Sequence, residues 1–254
     1  MVDMALYVGC CGFSIARSKY FKLFNVVELQ ETFYNPPDIG RLRALRSEAP
    51  QEFVFAMKCW QAVTHPLDSP TWRRAKVVPD RSLINRYGFL RPTREVFEAW
   101  ELVAKAAREL NARVVVVQTP PTFNYCEENY RNALEFFTTV DTSNFIVGWE
   151  PRGSWSNNPD KILDIVMRFK NVIHVVDVLK AKPVMTKEVS YFRLHGLGGD
   201  EVNYRYKYTD EDLMKLNNII KDYLKGGKDV YVMFNNVYMT QDALRFKELT
   251  VKNI

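Results

Sequence analysis

Ionisable side chains occur directly after several short apolar runs of the chain. Lys58 and Glu150 each follow such a run, His195 follows another, and Glu28 lies within one. Carboxylate, amine and imidazole groups that share a dry site shift one another's pKa and suit general acid–base chemistry. We therefore predict these four as catalytic residues. Glu28 and Glu150 are the acid and base candidates, His195 can take either role, and Lys58 would stabilise negative charge.

Further polar and aromatic residues at the same places are candidate substrate ligands. Amides such as those of Gln118 and Asn235 can orient a substrate by hydrogen bonds, and Arg193 can hold an anion. The predicted substrate-binding residues are Thr32, Tyr34, His65, Gln118, Arg152, Trp155, Asp177, Arg193, Tyr206, Asn235 and Asn236.

The same ionisable residues could instead form a structural network. Glu28–Lys58 and Glu150–Arg193 are the candidate ion pairs of that alternative. A plug of paired charges at one end of the fold would need no substrate, so both interpretations stand at this point.

Eight short β-branched runs recur along the chain, and they read as near-continuous apolar segments without strict alternation. Such runs are typical of parallel strands covered on both faces. The predicted strands are Leu6–Gly9, Val26–Leu29, Phe53–Met57, Val114–Val117, Phe145–Trp149, Val172–Val176, Tyr191–Leu194 and Val230–Phe234.

Helical patterns separate most of these strands. The predicted helices are Ile39–Ser47, Arg94–Leu110, Glu127–Thr138, Pro159–Lys170, Thr209–Leu224 and Thr240–Leu249. The segments after the first and sixth strands show only short or poorly defined helical patterns. Eight βα units in 254 residues predict an α/β fold, a single (β/α)8 TIM-type barrel, and this fold carries its sites at the carboxyl ends of the strands. We expect one domain over 1–254, with an elaborated basic loop over 65–93 after the third strand.

That loop holds most of the positive excess of the chain. The net charge is +5, and the stretch 72–94 carries seven basic residues against Asp80 alone. Trp72, Tyr87 and Phe89 alternate with its arginines, and a second loop reads Tyr204-Arg205-Tyr206-Lys207-Tyr208. Cations beside aromatic rings suit phosphate-bearing ligands that stack. We expect an anionic partner, either a small molecule or nucleic acid. A solvated loop with tyrosines packed on the rim is the alternative.

The sequence predicts no cofactor, although a divalent metal remains possible. Glu28, Glu150, Asp177 and His195 could form an oxygen-rich site, but Lys58 and Arg193 would oppose a dication. The four cysteines fit neither a disulfide framework nor a zinc site and predict reduced thiols.

Two features bear on location. No apolar stretch is long enough to span a membrane, and the start of the sequence lacks the pattern of a signal peptide. We therefore expect a cytoplasmic protein without a membrane partner. The oligomeric state is not indicated.

Several multi-residue motifs resemble a known family from end to end. VGCCGF, FNVVELQETFYNPP, FVFAMKCWQAVTH, VVVVQTPPTF, VGWEPRGSW, YFRLHG and VYVMFNNVYMTQDA occur in that order. They closely resemble the YecE-like family, also called domain of unknown function 72, and Tyr87-Gly88-Phe89 resembles its archaeal type. The resemblance implies a TIM-type barrel. It also implies that the following are motif positions: Glu28, Thr32, Tyr34, Lys58, Gln118, Glu150, Trp155, Arg193, His195 and Asn235.

Together these patterns favour an enzyme, a hydrolase or isomerase, that performs acid–base chemistry on a phosphorylated or sugar-containing substrate. The alternative is a protein that binds or processes nucleic acid through its basic, aromatic loops. A scaffold that binds a protein partner through the basic loop is a third option.

Overall fold

A computed structural model describes residues 5–199 and 201–251 of the chain, so both ends of the predicted domain, 1–4 and 252–254, lie outside the described residues. Its strands are β1 Leu6–Cys11, β2 Val26–Leu29, β3 Val54–Lys58, β4 Ala112–Gln118, β5 Ile146–Glu150, β6 Val172–His174, β7 Val189–Leu194 and β8 Asp229–Phe234. They follow the sheet order β6-β5-β4-β3-β2-β1-β8-β7. All eight predicted strands are confirmed, with ends that differ by one or two residues.

The helices lie between the strands, as predicted. They are α1 Arg17–Leu23, α2 Glu31–Tyr34, α3 Ile39–Glu48, α4 Gln61–Thr64, α5 Arg94–Leu110, α6 Glu127–Thr139, α7 Pro159–Arg168, α8 Asp210–Lys225 and α9 Met239–Val251. The predicted helices are thus confirmed, and α1, α2 and α4 are additional. Between β6 and β7 the described chain has only a turn, because Pro183 and the polar residues around it sustain no helical periodicity.

In the two longest helices, α5 and α8, capping residues in the sequence set the helix boundaries. The Thr93 side chain accepts a hydrogen bond from the Val96 amide at the start of α5, and Asn111 ends that helix in the left-handed conformation. Thr209 and Asp212 form a reciprocal capping box at the start of α8. Each cap satisfies backbone groups that the helix itself leaves unpaired.

The chain divides into two compact units. The first comprises the described parts of 1–28, 51–54 and 173–254. Within it, β1 pairs in parallel with β2 and with β8, and β8 pairs with β7. Tyr7, Tyr231 and Tyr191 are register partners, and their rings stack with centroids 4.5 and 5.4 Å apart. This aromatic layer fills the space between three neighbouring strands.

The second unit comprises 29–50 and 55–172. Its strands β3, β4 and β5 are parallel, and the register places Gln118 opposite Glu150. Val114, Val115, Val116 and Val117 of β4 are all fully buried. A strand without an exposed face is expected where helices cover one side of the sheet and packed side chains the other.

The elaborated loop after β3 is an ordered part of the second unit. It contains two 3-10 turns, Pro70–Arg74 and Arg81–Arg86. It then returns through Gly88, Phe89 and Leu90, all three in the left-handed conformation. Their amides donate to the carbonyl oxygens of α4 at 2.9 to 3.1 Å. A side chain at Gly88 would meet the His65 backbone at 2.3 Å, so glycine permits this close approach.

Within the described part of the chain, no helix is both long and apolar enough to cross a membrane.

Candidate functional site

The first unit holds a fully buried ion pair between two strands. Arg193 on β7 donates to both carboxylate oxygens of Glu28 on β2, at 2.8 and 3.0 Å. The Tyr191 hydroxyl donates to the same carboxylate at 2.9 Å. None of the three residues is exposed to solvent. A bidentate guanidinium with an added hydroxyl donor is the geometry that a desolvated carboxylate needs.

The Cys11 thiol borders this ion pair, and Cys10 precedes it on β1. Burial raises the pKa of the Cys11 thiol well above its usual value, and the Glu28 charge raises it further. Burial likewise raises the pKa of Cys10 to about 12. Both thiols are therefore neutral at physiological pH, which argues against a nucleophilic role.

The carboxyl ends of β7 and β8 in this unit are held by backbone contacts. Asp177 accepts from the amides of His195 and Leu179 at 3.0 and 3.2 Å. His195 itself is buried, with its ring 6.1 Å from that of Tyr204. The Asn235 amide donates to the Leu194 carbonyl at 2.9 Å. Asp177 thus orders the start of the loop that carries His195.

Asn236, in the loop after β8, is hydrogen-bonded to α9 and to the loop after β7. Asn236 donates through Nδ2 to Asp242 and to the Tyr206 carbonyl, both at 2.7 Å. The Tyr206 hydroxyl donates to Asp212, and this hydrogen bond raises the pKa of Tyr206 to about 12. Tyr206 and Asn236 therefore hold the aromatic loop in place.

The second unit carries a different ion pair at the end of β5. Arg152 donates to Glu150 Oε1 at 2.9 and 3.1 Å. The two side chains are 12% and 9% exposed, so this pair reaches solvent where Glu28 and Arg193 do not. Gln118, the register partner of Glu150, is 8% exposed.

Lys58, at the end of β3, lies in the same unit and is half-buried. Its Nζ stands 4.0 Å from the centre of the Phe33 ring, and its carbonyl accepts from the Thr32 hydroxyl at 2.7 Å. Tyr34 lies beside them on α2, and its hydroxyl accepts from Arg74 of the basic loop at 2.6 Å. Short helix α2 thereby links the end of β3 to the basic loop.

His65 lies within the electrostatic influence of both Lys58 and Arg152. Burial, together with the charges of Lys58 and Arg152, lowers its pKa to about 3. Its Nδ1 hydrogen-bonds the Thr64 hydroxyl at 2.8 Å, and its ring packs edge-on against Phe33. The imidazole is therefore neutral, and two cations lie close enough to act on it.

Trp155, in the loop after β5, is enclosed by other side chains. The indole is fully buried, donates to the Phe123 carbonyl at 2.6 Å, and packs against Trp149. A ring without exposed surface shapes the β5 loop and has no free face for stacking.

The predicted site residues thus divide between the two units, and each lies near the carboxyl end of a strand or in the segment that follows it. Glu28 is paired with Arg193 and Glu150 with Arg152, whereas the pairs Glu28–Lys58 and Glu150–Arg193 remain predictions. Tyr191 and Asp242 were not predicted. Tyr191 could have been found from its position two residues before Arg193, on the same strand face.

Potential metal ligands do not form a cluster among the described residues. Across residues 5–199 and 201–251, no three His, Cys, Asp or Glu side chains lie where they could hold a metal ion.

Comparison with known proteins places the chain in a structural context. A family model described as "Protein of unknown function DUF72" matches residues 16–252. A DUF72 family protein from Enterococcus faecalis V583 is 18% identical, with a TM-score of 0.69 and 99% of each chain covered. None of the curated proteins compared matches the chain.

Two further solved structures are similar in fold. Endonuclease IV from Thermus thermophilus is 12% identical, with a TM-score of 0.59, covering 98% of this chain and 100% of its own. A xylose isomerase domain containing protein from Salmonella typhimurium is 14% identical, with a TM-score of 0.54, covering 100% and 99%. At these identities the likeness shows a shared fold. The predicted (β/α)8 fold class is confirmed.

Removing Arg193 should strongly destabilise the protein, because it leaves the Glu28 carboxylate buried without its charge partner. We expect Arg193→Met to lower the free energy of unfolding by about 3–5 kcal/mol. The matched control is Arg152→Met, which breaks a pair that still reaches solvent and should therefore cost less than the Arg193 variant. Urea denaturation followed by circular dichroism measures both. Equal losses in the two variants would contradict the structural role of Glu28 and Arg193.

The depressed His65 pKa predicts a pH-dependent stability. The folded value of about 3 lies below the unfolded value of 6.5, so the unfolded state binds the proton first as pH falls. The contribution is complete above pH 6.5 and lost towards pH 3, at up to about 1.4 kcal/mol per pH unit. His65→Gln should remove it.

The measurement is urea denaturation of both proteins at about pH 7.5 and about pH 5. Wild type should lose about 2 kcal/mol more than His65→Gln between these conditions. An identical loss would show that His65 titrates normally in the folded protein.

Proposed function

The chain belongs to the DUF72 family, and on this premise we propose that it is an enzyme performing acid–base chemistry at the carboxyl ends of its strands. The observation that carries the proposal is the group formed by Glu150, Arg152, Lys58 and His65 in the second unit. It combines one nearly buried carboxylate with two cations and a neutral imidazole. The substrate class it fits is phosphorylated or sugar-containing, and the reaction class is hydrolysis or isomerisation.

The charge of this group favours an anionic substrate. Lys58 and Arg152 outnumber the single carboxylate of Glu150, so the group carries a net positive charge while His65 is neutral. Cations at a site that excludes water bind phosphate and stabilise negative charge that develops during proton transfer. Gln118, beside Glu150, and Thr32 and Tyr34, beside Lys58, would orient hydroxyl groups of the substrate.

We assign the proton transfer in this group to Glu150. Its side chain keeps 9% exposure at the end of β5, where a ligand can reach it, whereas Glu28 has none and accepts from three donors. Glu28 and Arg193 therefore act as positioning residues in this proposal. His195, at the end of β7, remains the acid–base candidate of the first unit, with Asn235 beside it. The cytoplasmic location and the archaeal type stay predictions.

Replacing Glu150 should abolish turnover without unfolding the protein. General acid–base residues contribute roughly 10²–10⁴ in rate, so Glu150→Gln should lower kcat by about that factor. Glu150→Gln keeps the size and one hydrogen-bonding oxygen of a side chain that still reaches solvent, so Tm should change little. Turnover is sought by ¹H and ³¹P nuclear magnetic resonance on a panel of pentose and hexose phosphates, with the unphosphorylated sugars in parallel.

The matched control is Glu95→Gln, which removes the carboxylate of another Arg–Glu pair with the same 2.9 Å separation on α5. Full activity is expected for it. Retained activity in Glu150→Gln, together with a large fall in Tm, would favour a structural network instead of a catalytic group.

Nucleic-acid binding or processing is the second candidate function, and the exposed cations of the basic loop favour it. Arg73, Arg74, Lys76 and Arg81 are exposed. By contrast, Arg86 and Arg94 are paired with Glu95 and Glu98 on α5. The likeness to endonuclease IV is compatible with this function but adds only a shared fold.

Replacing Arg73, Arg74 and Arg81 together by Gln tests this function. If each contacts a phosphate, the slope of log affinity against log salt should fall by about three, and binding should weaken at least about 10²-fold. Fluorescence anisotropy with a labelled single-stranded oligonucleotide measures both quantities. Arg86→Gln with Arg94→Gln is the control, since those arginines are already paired. A flat salt response of the wild type would exclude a phosphate-binding surface.

A further inference from the structure

The basic loop contains a cavity that none of the proposed catalytic residues lines. It lies between the two 3-10 turns, Pro70–Arg74 and Arg81–Arg86, and has a volume of about 530 Å³. Ligand-binding pockets span about 300–1,000 Å³, so the cavity is large enough for a small organic molecule. All its lining residues belong to the second unit.

One side of the cavity is apolar. Leu67, Trp72, Val78 and Ile84 line it. Val78 and Ile84 are 47% and 40% exposed, and Val77 beside them is 57% exposed. Neighbouring apolar side chains left in contact with water often mark a binding surface, because covering them is favourable at about 25 cal/mol per Å².

The wall of the cavity is preformed. Trp72 is buried, and its ring nitrogen donates to the Pro66 carbonyl at 2.9 Å and to the His65 carbonyl at 3.3 Å. At the second turn, the Asp80 side chain accepts from the Ser82 amide at 2.8 Å and caps the start of the turn. A ligand would therefore find both sides of the cavity already in place, which lowers the entropy cost of binding.

The other side is cationic. Arg73 and Arg81 line the cavity and are exposed, whereas Asp68 is the one acid among the lining residues. Within the part of the chain that the structure describes, neither guanidinium is paired with a carboxylate. The cavity therefore carries a net positive charge next to its apolar wall.

We propose that this cavity is a second binding site, and that its ligand is a small organic anion with an apolar body. Arg73 and Arg81 would hold the phosphate or carboxylate group, while Trp72, Val78 and Ile84 would cover the body. Inorganic phosphate would leave the apolar wall exposed. A nucleic-acid strand would use Arg74 and Lys76 as well, and these lie outside the cavity lining.

Isothermal titration calorimetry with four related probes tests the ligand class. The probes are 1-naphthyl phosphate, 1-naphthoate, 1-naphthol and inorganic phosphate. One or both naphthyl anions should bind at least tenfold more tightly than 1-naphthol and inorganic phosphate, and their ratio distinguishes a phosphate from a carboxylate head group. Equal binding of 1-naphthol, or binding of inorganic phosphate as tight as that of the anions, would overturn the proposal.

Substitutions in the cavity lining test whether the probe binds there. Arg73→Gln with Arg81→Gln should weaken binding at least tenfold, and Ile84→Ser should weaken it separately through the apolar wall. The control Lys19→Gln with Lys105→Gln makes the same change in net charge at two exposed positions outside the cavity and should leave affinity unchanged. Equal weakening in the control would indicate general charge attraction and refute a defined site. Because Glu150→Gln should not alter this binding, the result is independent of the proposed catalytic function.

Discussion

The buried contact between Glu28 and Arg193 is the interaction on which the arrangement of the first unit depends. A carboxylate and a guanidinium without solvent exposure each carry a desolvation cost of several kcal/mol, which only close hydrogen-bonded pairing offsets. β2 and β7 are separated in the sheet by β1 and β8, so the contact crosses three strand-to-strand spacings. The strands can satisfy both charges only in one register. The pair therefore fixes where Tyr191 and the end of β7 lie.

The Glu150–Arg152 contact is also a carboxylate–guanidinium ion pair, but it constrains the fold less. Its members are two residues apart on one short segment, so it fixes no distant strands. Its side chains are 12% and 9% exposed, so solvent screens this pair more than the fully buried pair of Glu28 and Arg193. Glu28 and Glu150 have the same side chain. Their difference in burial is what makes Glu28 a positioning residue and Glu150 the candidate for proton transfer.

The sequence was sufficient for most of the fold and for the location of the candidate groups. Continuous valine runs such as that of β4 leave few alternatives to a buried parallel strand, and the caps at Thr93 and Thr209 define their helices. Helices α2 and α4 were missed because four residues make barely one turn and show no periodicity. The partners of Glu28 and Glu150 could not be predicted. Several cations occur at strand ends, and the choice among them depends on side-chain reach and burial.

The basic loop shows how a segment without sequence periodicity can still be well defined. Phe89 and Leu90 adopt the left-handed conformation, which costs non-glycine residues of order 1 kcal/mol or more each. The three amides of 88–90 offset this cost because they satisfy the carbonyls of α4, which has no further helical turn to bond them. At the other end of the loop, the Trp72 ring nitrogen donates to the carbonyls of His65 and Pro66. Both anchors therefore converge on the segment that carries His65, and Gly88 approaches its backbone so closely that no side chain fits between them. The basic loop and the segment that carries His65 are consequently parts of one packed element. The Trp72 wall of the cavity is fixed to the same backbone that positions His65.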